Sequence, residues 1–310
     1  MTGVARTSGI TDYGLGSTTG FIPELYSGKL VEKMYKTTVF GEIANTDYEG
    51  EVAGLGSNVV IRTVPDVTVN DYVIGRGLSN QYPASTSTNL AIDKAKEFSV
   101  ALNLVDMKQS DLDMADIFAN EGSIKLQIAV DSDMLETIPA LVHADNQGTT
   151  AGADSSSVNL GDSTNPYGLT KTNIVDFIVD CGTVLDEQSV SDEGRWMVLP
   201  PWAVALIKKS DLRIASLSGD GVSILRNGKI GEIDRFTIYQ SRNLLSQTSP
   251  GQAHYAMFGH SAGLTFAAQV VTCEMIQNPN DFGFIVRGLM VYGYNVVGPQ
   301  YVGTAVIKRG

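Results

Sequence analysis

The chain has 310 residues, 43% of them hydrophobic and 18% charged, which is enough apolar surface for a folded core and a length that fits about two domains. With 22 Lys and Arg against 34 Asp and Glu, its net charge of −12 excludes a protein that grips nucleic acid through phosphate contacts, which needs clustered cations; enclosing DNA without binding it is not excluded. Cys181 and Cys273 lie far apart with no Cys-x-x-Cys pattern, so they form neither a disulfide framework nor a zinc site, and a reducing compartment is expected.

Residues 1 to 22 are rich in Gly, Ser and Thr and read as an extended arm with no apolar secretory segment. Pro23 to Phe40 carries Leu25, Leu30, Val31 and Met34 at helical spacing behind an opening proline, which predicts a short amphipathic helix. Asn58 to Pro65 and Val67 to Ile74 have the β-branched content of strands, a polar loop follows, and Asn89 to Leu104 alternates as a half-buried strand does. Residues 57 to 104 therefore predict a long two-armed β-excursion with a polar tip near Arg76 to Thr88. A lone ribbon of that length is marginal in water, so another subunit is its expected support.

The longest helical pattern follows. Met107, Met114, Ile117, Phe118, Ile124, Ile128, Leu135 and Ile138 fall mostly three or four apart, with Ser110 as N-cap and Pro139 limiting the far end. Such a helix runs about 28 residues, or about 42 Å. Gly122 in its middle marks a bend or a close contact, and Asp131 on its apolar stripe is expected to be a paired structural carboxylate. A Ser/Gly/Asp/Asn-rich linker from His143 to Pro166 marks a boundary.

Ile174 to Leu185 then predicts an amphipathic helix capped by Thr170 or Thr172, with Cys181 on its apolar face as a small core residue. Arg195 to Leu199 reads as a strand stopped by Pro200 and Pro201, and Trp202 to Lys209 as a short helix. Phe236 to Gln240, His254 to Phe258 and the runs within Phe282 to Val297 complete an α+β pattern without a regular βαβ series. The most apolar window, Ala256 to Cys273, is interrupted by His260, Ser261, Thr265 and Gln269 and reads as a buried segment, not a membrane span.

Gly259-His260-Ser261-Ala262-Gly263 is a formal G-x-S-x-G after a strand, the setting of a nucleophile elbow. No histidine follows Ser261, however, and 49 residues are too few to finish a hydrolase fold behind it. A tight turn packed through small residues is the expected role, and serine hydrolysis through Ser261 is the remote alternative. The three histidines, His143, His254 and His260, make no i, i+4 pair or HExxH, so no metal site is expected. Gly14-x-Gly16 lacks both a preceding strand and a following Lys, and Asp111/Asp113 and Asp131/Asp133 lack calcium-loop spacing. Neither a catalytic residue nor a cofactor is predicted.

Three ordered stretches carry a resemblance: LAIDKAKEFSVALNLVDMKQSDLDMADIFANEGSIKLQIAVDSDML (90 to 135), EGRWMVLPPWAVALI (193 to 207) with NGKIGEIDRFTIYQSRNL (227 to 244), and FGFIVRGLMVYGYNVVGP (282 to 299). Within the first, Ile92-Asp93, Gln109-Ser110 and Val130-Asp131 stand as they do in the major capsid proteins of tailed bacteriophages, which the chain resembles. Ser191 and Arg235 depart from that family, where Pro and Gly are frequent.

The resemblance implies the Johnson capsid fold, an α+β architecture: an N-terminal arm (1 to 57), an extended loop (58 to 98), a peripheral domain with a long spine helix (99 to 167), and an axial domain (168 to 310) whose last strands return to the peripheral one. It implies a virion subunit, not an enzyme, assembling in the host cytoplasm into hexamers and pentamers of an icosahedral head that encloses the genome. Portal protein and separate scaffolding or cement proteins are the implied partners, with no membrane; no long extension precedes the arm, so a fused scaffold is not expected. Tyr72, Arg76 and Tyr82 on the ribbon are expected to contact a neighbouring subunit, because an exposed aromatic ribbon needs a cover. Asp131 is the expected structural anchor. An encapsulin-type nanocompartment shell shares the fold and is the nearest rival; a soluble monomer is a third reading.

Overall fold

The computed structural model describes residues 38–47, 58–62, 65, 67–72, 74–75, 77, 80–83, 87–109, 114–210, 232–249 and 251–310. In chain order these form helix α1 (Phe40–Ile43), strands β1 (Asn58–Arg62), β2 (Ser87–Ala91) and β3 (Lys94–Asn103), helices α2 (Leu104–Gln109) and α3 (Met114–Thr137), strand β4 (Tyr167–Leu169), helix α4 (Ile174–Glu187), strand β5 (Arg195–Leu199) and helix α5 (Pro201–Lys209). Strands β6 (Glu232–Ile233), β7 (Phe236–Gln240), β8 (Ser246–Gln247), β9 (Ala253–His260), β10 (Leu264–Gln277), β11 (Gly283–Val296) and β12 (Val302–Arg309) follow. The helix expected over Pro23 to Phe40 and the Ser110 cap lie outside the described residues.

The strands make three sheets. A seven-stranded sheet runs β4-β12-β9-β5-β7-β6, with β8 beside β9; a three-stranded sheet runs β10-β11-β3; and β1 pairs with β2 alone. β5 lies inside the large sheet with all five residues buried, and its side chains serve two cores in turn. Met197 and Leu199 join the core beneath α4 and α5 with Phe177, Ile178 and Ile207. Trp196 and Val198 join the core on the opposite face, with Val130, Met134 and Leu135 of α3. A strand covered on both faces carries no polar alternation, which is why RWMVL reads as one continuous apolar run.

Helix α4 buries Ile174, Phe177, Ile178, Cys181, Val184 and Leu185, the face its spacing predicts. Its ends differ from expectation. Neither Thr170 nor Thr172 is its N-cap; Asn173 holds that place and turns its amide back to accept from the Thr170 N–H at 2.7 Å and donate to the Gly168 carbonyl at 2.9 Å. At the other end the Ser189 N–H donates to the Asp186 carbonyl and the Val190 N–H to the Leu185 carbonyl. That is a Schellman closure with Ser189, at φ 57°, where glycine is usual.

The long helix α3 spans 24 residues, about 36 Å, after a separate α2. Its buried residues are Val130, Asp131, Met134 and Leu135, all in its last third. The stripe inferred from Ile117, Ile124 and Ile128 is thus only partly covered within this chain, Ile124 being 36% exposed. Gly122 is a close contact: the Phe98 ring of β3 lies where a Cβ would go, and the same ring presses on Gly288 of β11.

Among the described residues of Val67 to Ile74 the expected strand does not form. β-branched residues favour a strand only where a neighbour covers and pairs them, and Val69 and Ile74 are 94% and 88% exposed. In place of a backbone ladder, the Gln81 amide bridges the ribbon, accepting from the Thr68 N–H at 3.0 Å and donating to the Thr68 carbonyl at 2.6 Å.

Candidate functional site

Among the described residues no group of three or more His, Cys, Asp or Glu is placed to hold a metal ion, and no helix is long and apolar enough to cross a membrane. Cys181 is buried, which pushes its thiol well above the ordinary range, and Cys273 is exposed; neither is in a disulfide. At the G-x-S-x-G turn, Gly259 and Gly263 let the chain lie against Tyr301 and Val302, and His260 Nδ1 accepts from the Ala262 N–H at 3.0 Å. The Ser261 N–H donates to the Gly194 carbonyl. These glycines and the histidine build a packed turn.

The polar residues that are held tightly lie instead where separate parts of the chain meet. Asp131 on α3 is fully buried. Its Oδ1 accepts from the N–H groups of Val39 and Phe40, both at 2.9 Å, and its Oδ2 from the Asn243 amide at 2.6 Å. One carboxylate thus ties together the start of α1, the long helix and the segment after β7, satisfying backbone donors that the first turn of a helix leaves open.

A second junction holds the ribbon's root. β2 runs through Ile92 and Asp93 into β3, whose first residue is Lys94. Its ammonium donates to Asp133 Oδ2 at 2.8 Å, lies 2.6 Å from the Tyr294 hydroxyl and sits 4.4 Å from the Tyr294 ring centroid. Tyr292 and Tyr294, two apart on β11 and so on one face, both donate to Asp133 Oδ2, at 3.1 and 3.0 Å. Partial burial would raise the Asp133 pKa, but the hydrogen bonds from Lys94, Tyr294 and Tyr292 outweigh it and hold the carboxyl below the usual range. Burial would likewise lower the Lys94 pKa, and its bonds to Asp133 and Tyr294 raise it instead. Beside this clamp, Ile61, Leu90, Ile92 and Ala267 form a small apolar core.

The third cluster joins the large sheet to α4. Arg195 is buried and donates to Asp186 at 2.7 Å, to Asp192 at 3.1 Å and to the carbonyls of Val190, Ser191 and Gly182. Arg235 reaches the same two carboxylates at 2.9 and 2.6 Å. Asp234 and Arg235 form the two-residue turn between β6 and β7 with φ values of 46° and 65°. Each left-handed non-glycine residue costs about 1–2 kcal/mol, and at Arg235, where the resembled family often has glycine, two ion pairs hold the strained residue in place.

Of the residues proposed to face a neighbour, Tyr72 is 72% and Tyr82 92% exposed, both on the ribbon. Arg76 lies outside the described residues. Sequence reasoning singled out Asp131 but not its partner Asn243, nor the clamp of Lys94, Asp133, Tyr292 and Tyr294. The i, i+2 tyrosine pair was the one local signal of that clamp.

No protein-family model matches the chain, nor does any curated relative. Solved structures do. A chain from Mycobacterium phage Che8 is 26% identical with a TM-score of 0.76, over 92% of this chain and 96% of that one. The capsid structure of cyanophage P-SCSP1u matches at 12% identity and a TM-score of 0.69, over 94% of each chain. The mature capsid of bacteriophage PhiM1 matches at 15% identity and a TM-score of 0.67, over 98% of this chain and 99% of that one. The chain has the fold of phage capsid subunits. On that capsid fold Asp131 and Asp133, two residues apart on the long helix, bond to two different parts of the chain: Asp131 to the start of α1, and Asp133 to the start of β3 and to β11.

Proposed function

We propose that the chain is the major capsid protein of a tailed double-stranded DNA phage, assembling with copies of itself into the hexamers and pentamers of an icosahedral head. The observation that carries this reading is the match to capsid structures over nearly the whole of both chains. In this reading residues 1 to 57 are the arm, 58 to 98 the extended loop, 99 to 167 the peripheral domain with α3 as its spine, and 168 to 310 the axial domain with β10 and β11 returning to the peripheral sheet. The work is mechanical, and no catalytic step is assigned.

The exposure of Val67, Val69, Tyr72, Ile74 and Tyr82, from 62% to 94%, supports a ribbon that is completed by a neighbour. Each large apolar side chain covered there contributes about 1.5–3 kcal/mol, and many repeated contacts hold a shell although each is modest. Arg76 belongs to the same contact. Asp131 anchors the arm to the body. A portal and a separate scaffolding or cement protein are the further partners, and DNA is enclosed without sequence-specific contacts.

Electron microscopy of the purified chain tests the reading: rings and closed shells are expected, with DNA as the cargo of particles recovered from infected cells. A protein cargo would point to a nanocompartment, and a stable 33.1 kDa monomer under all conditions would sink the proposal. Deleting residues 66 to 88 is expected to abolish shell formation; shells of unchanged yield and stability would remove the ribbon from the interface.

A further inference from the structure

The large sheet carries opposite charge at its two strand ends. β4 runs parallel to β12 and β5 parallel to β7, while β9 is antiparallel to both β12 and β5, so β4, β5, β7 and β12 all point the same way. Their C-terminal ends at Leu169, Leu199, Gln240 and Arg309 therefore share one rim. On it or within two residues of it stand Lys171, Arg242, Lys308 and Arg309; all but the half-buried Lys308 are exposed, and Asp176, in the first turn of α4, is the acidic residue nearest in sequence.

The opposite rim is acidic. Helix α4 returns to it with Asp186, the loop before β5 brings Asp192 and Glu193, and the β6–β7 hairpin brings Glu232 and Asp234. Arg195 and Arg235 pair with Asp186 and Asp192, and Arg235 also lies 3.9 Å from Asp234, so two cations face five carboxylates, of which Glu193 and Glu232 stand outside these ion pairs. This rim includes a shallow, wide-open depression of about 600 Å³ lined by Asp186, Ser189, Val190, Ser191, Asp192, Glu193 and Arg235. One rim thus offers long cationic side chains, and the other a depression edged with carboxylates.

We infer that the occupant of the acidic depression is a second copy of this chain, presenting its Lys171–Arg309 rim, so that copies join head to tail through opposite ends of the large sheet. A contact between two different patches of the same chain is heterologous, and such contacts close into rings when the rotation between copies permits it. Solvated charge pairs of this kind set register and exclude wrong partners more than they add affinity, which suits one interface used in rings of different size. The inference rests on the capsid reading and adds to it which two surfaces meet.

Reversal of each rim tests this. Glu193 and Glu232 are exposed and lie outside the ion pairs of the Arg195 cluster, as do Lys171 and Arg309. The E193K/E232K and K171E/R309E variants are each expected to form rings and shells at least 10-fold less well than wild type near physiological salt, while the chain with all four reversals recovers to within a few-fold. Circular dichroism and thermal melting report whether each variant is folded. If one fails to fold, E193Q/E232Q and K171Q/R309Q take its place, and the expected result is weaker assembly than wild type and a loss of wild type's sensitivity to added salt.

Wild-type assembly by either single-end variant, or a four-reversal chain as defective as its parents while folded, overturns the inference and leaves the capsid reading standing. A wild-type chain that never forms rings or shells overturns both.

Discussion

The ribbon from Asn58 to Ala91 is built in opposite ways at its two ends. At the root Leu90 is fully buried and Ile61 5% exposed, whereas toward the tip Val69, Ile74 and Tyr82 are 88% to 94% exposed. The root is further held by the Lys94–Asp133–Tyr294 clamp, while the outer part has the Gln81 bridge to Thr68. A root that is packed within its own chain fixes where the ribbon leaves it, and under the proposed capsid function the bare tip is left for a neighbour to cover. Changes near the root should therefore act on the lone subunit, and changes at the tip on the assembly.

The largest expected effect comes from Asp131, the anchor beside the root on α3. Asp131→Leu removes the acceptor of two backbone N–H groups and of the Asn243 amide in a buried site, and about 3–5 kcal/mol of subunit stability should be lost. Denaturant unfolding under non-assembling conditions measures it, and particle yield should fall with it. An unchanged midpoint and normal yield would mean that the arm does not depend on this carboxylate.

The clamp should answer to pH. Asp133 has its folded pKa held below its ordinary 3.8, so its contribution is complete above that value and is lost as the pH falls through the folded one. Lys94 has its folded pKa raised above 10.5, so its share is complete below that value and is lost as the pH rises through the folded one. The melting temperature of the unassembled subunit should therefore drop on acidification below about pH 4 more steeply in wild type than in Asp133→Asn, which is less stable at neutral pH. Parallel acid profiles for the two proteins would exclude the clamp as a source of root stability.

Parts of this comparison are legible in the sequence and parts are not. Arg195–Leu199 and Phe236–Gln240 are read correctly because prolines and turn residues bound short apolar runs, and Ile174–Glu187 because one face of it is buried at the helical period. β12 was missed: its first six residues are all buried, so no alternation marks it as a strand. Val67 to Ile74 has strand composition without a strand, since composition records what a neighbour could cover, not that one is present. The clamp leaves only the Tyr292/Tyr294 spacing in the sequence, because Lys94 lies 39 positions from Asp133 and 200 from Tyr294, and single residues so far apart have no shared pattern. Asp131 was found because a carboxylate on an apolar stripe needs a partner, although Val39, Phe40 and Asn243 could not be named in advance.

The smallest effect on the lone subunit is expected at the tip, and it separates the two ends most sharply. Tyr72→Ser with Tyr82→Ser removes two large side chains that touch little within their own chain, being 72% and 92% exposed. Exposed positions of this kind change stability by no more than about 0.5 kcal/mol each, so the melting point of the unassembled subunit should hardly move. In an assembled shell the same two rings would lie against a neighbour, where aromatic anchors carry much of the binding energy, so the critical concentration for assembly should rise about tenfold or more. A variant that melts lower as a subunit yet assembles normally would invert the comparison, making the tip part of its own chain's fold and leaving the root to meet the neighbour.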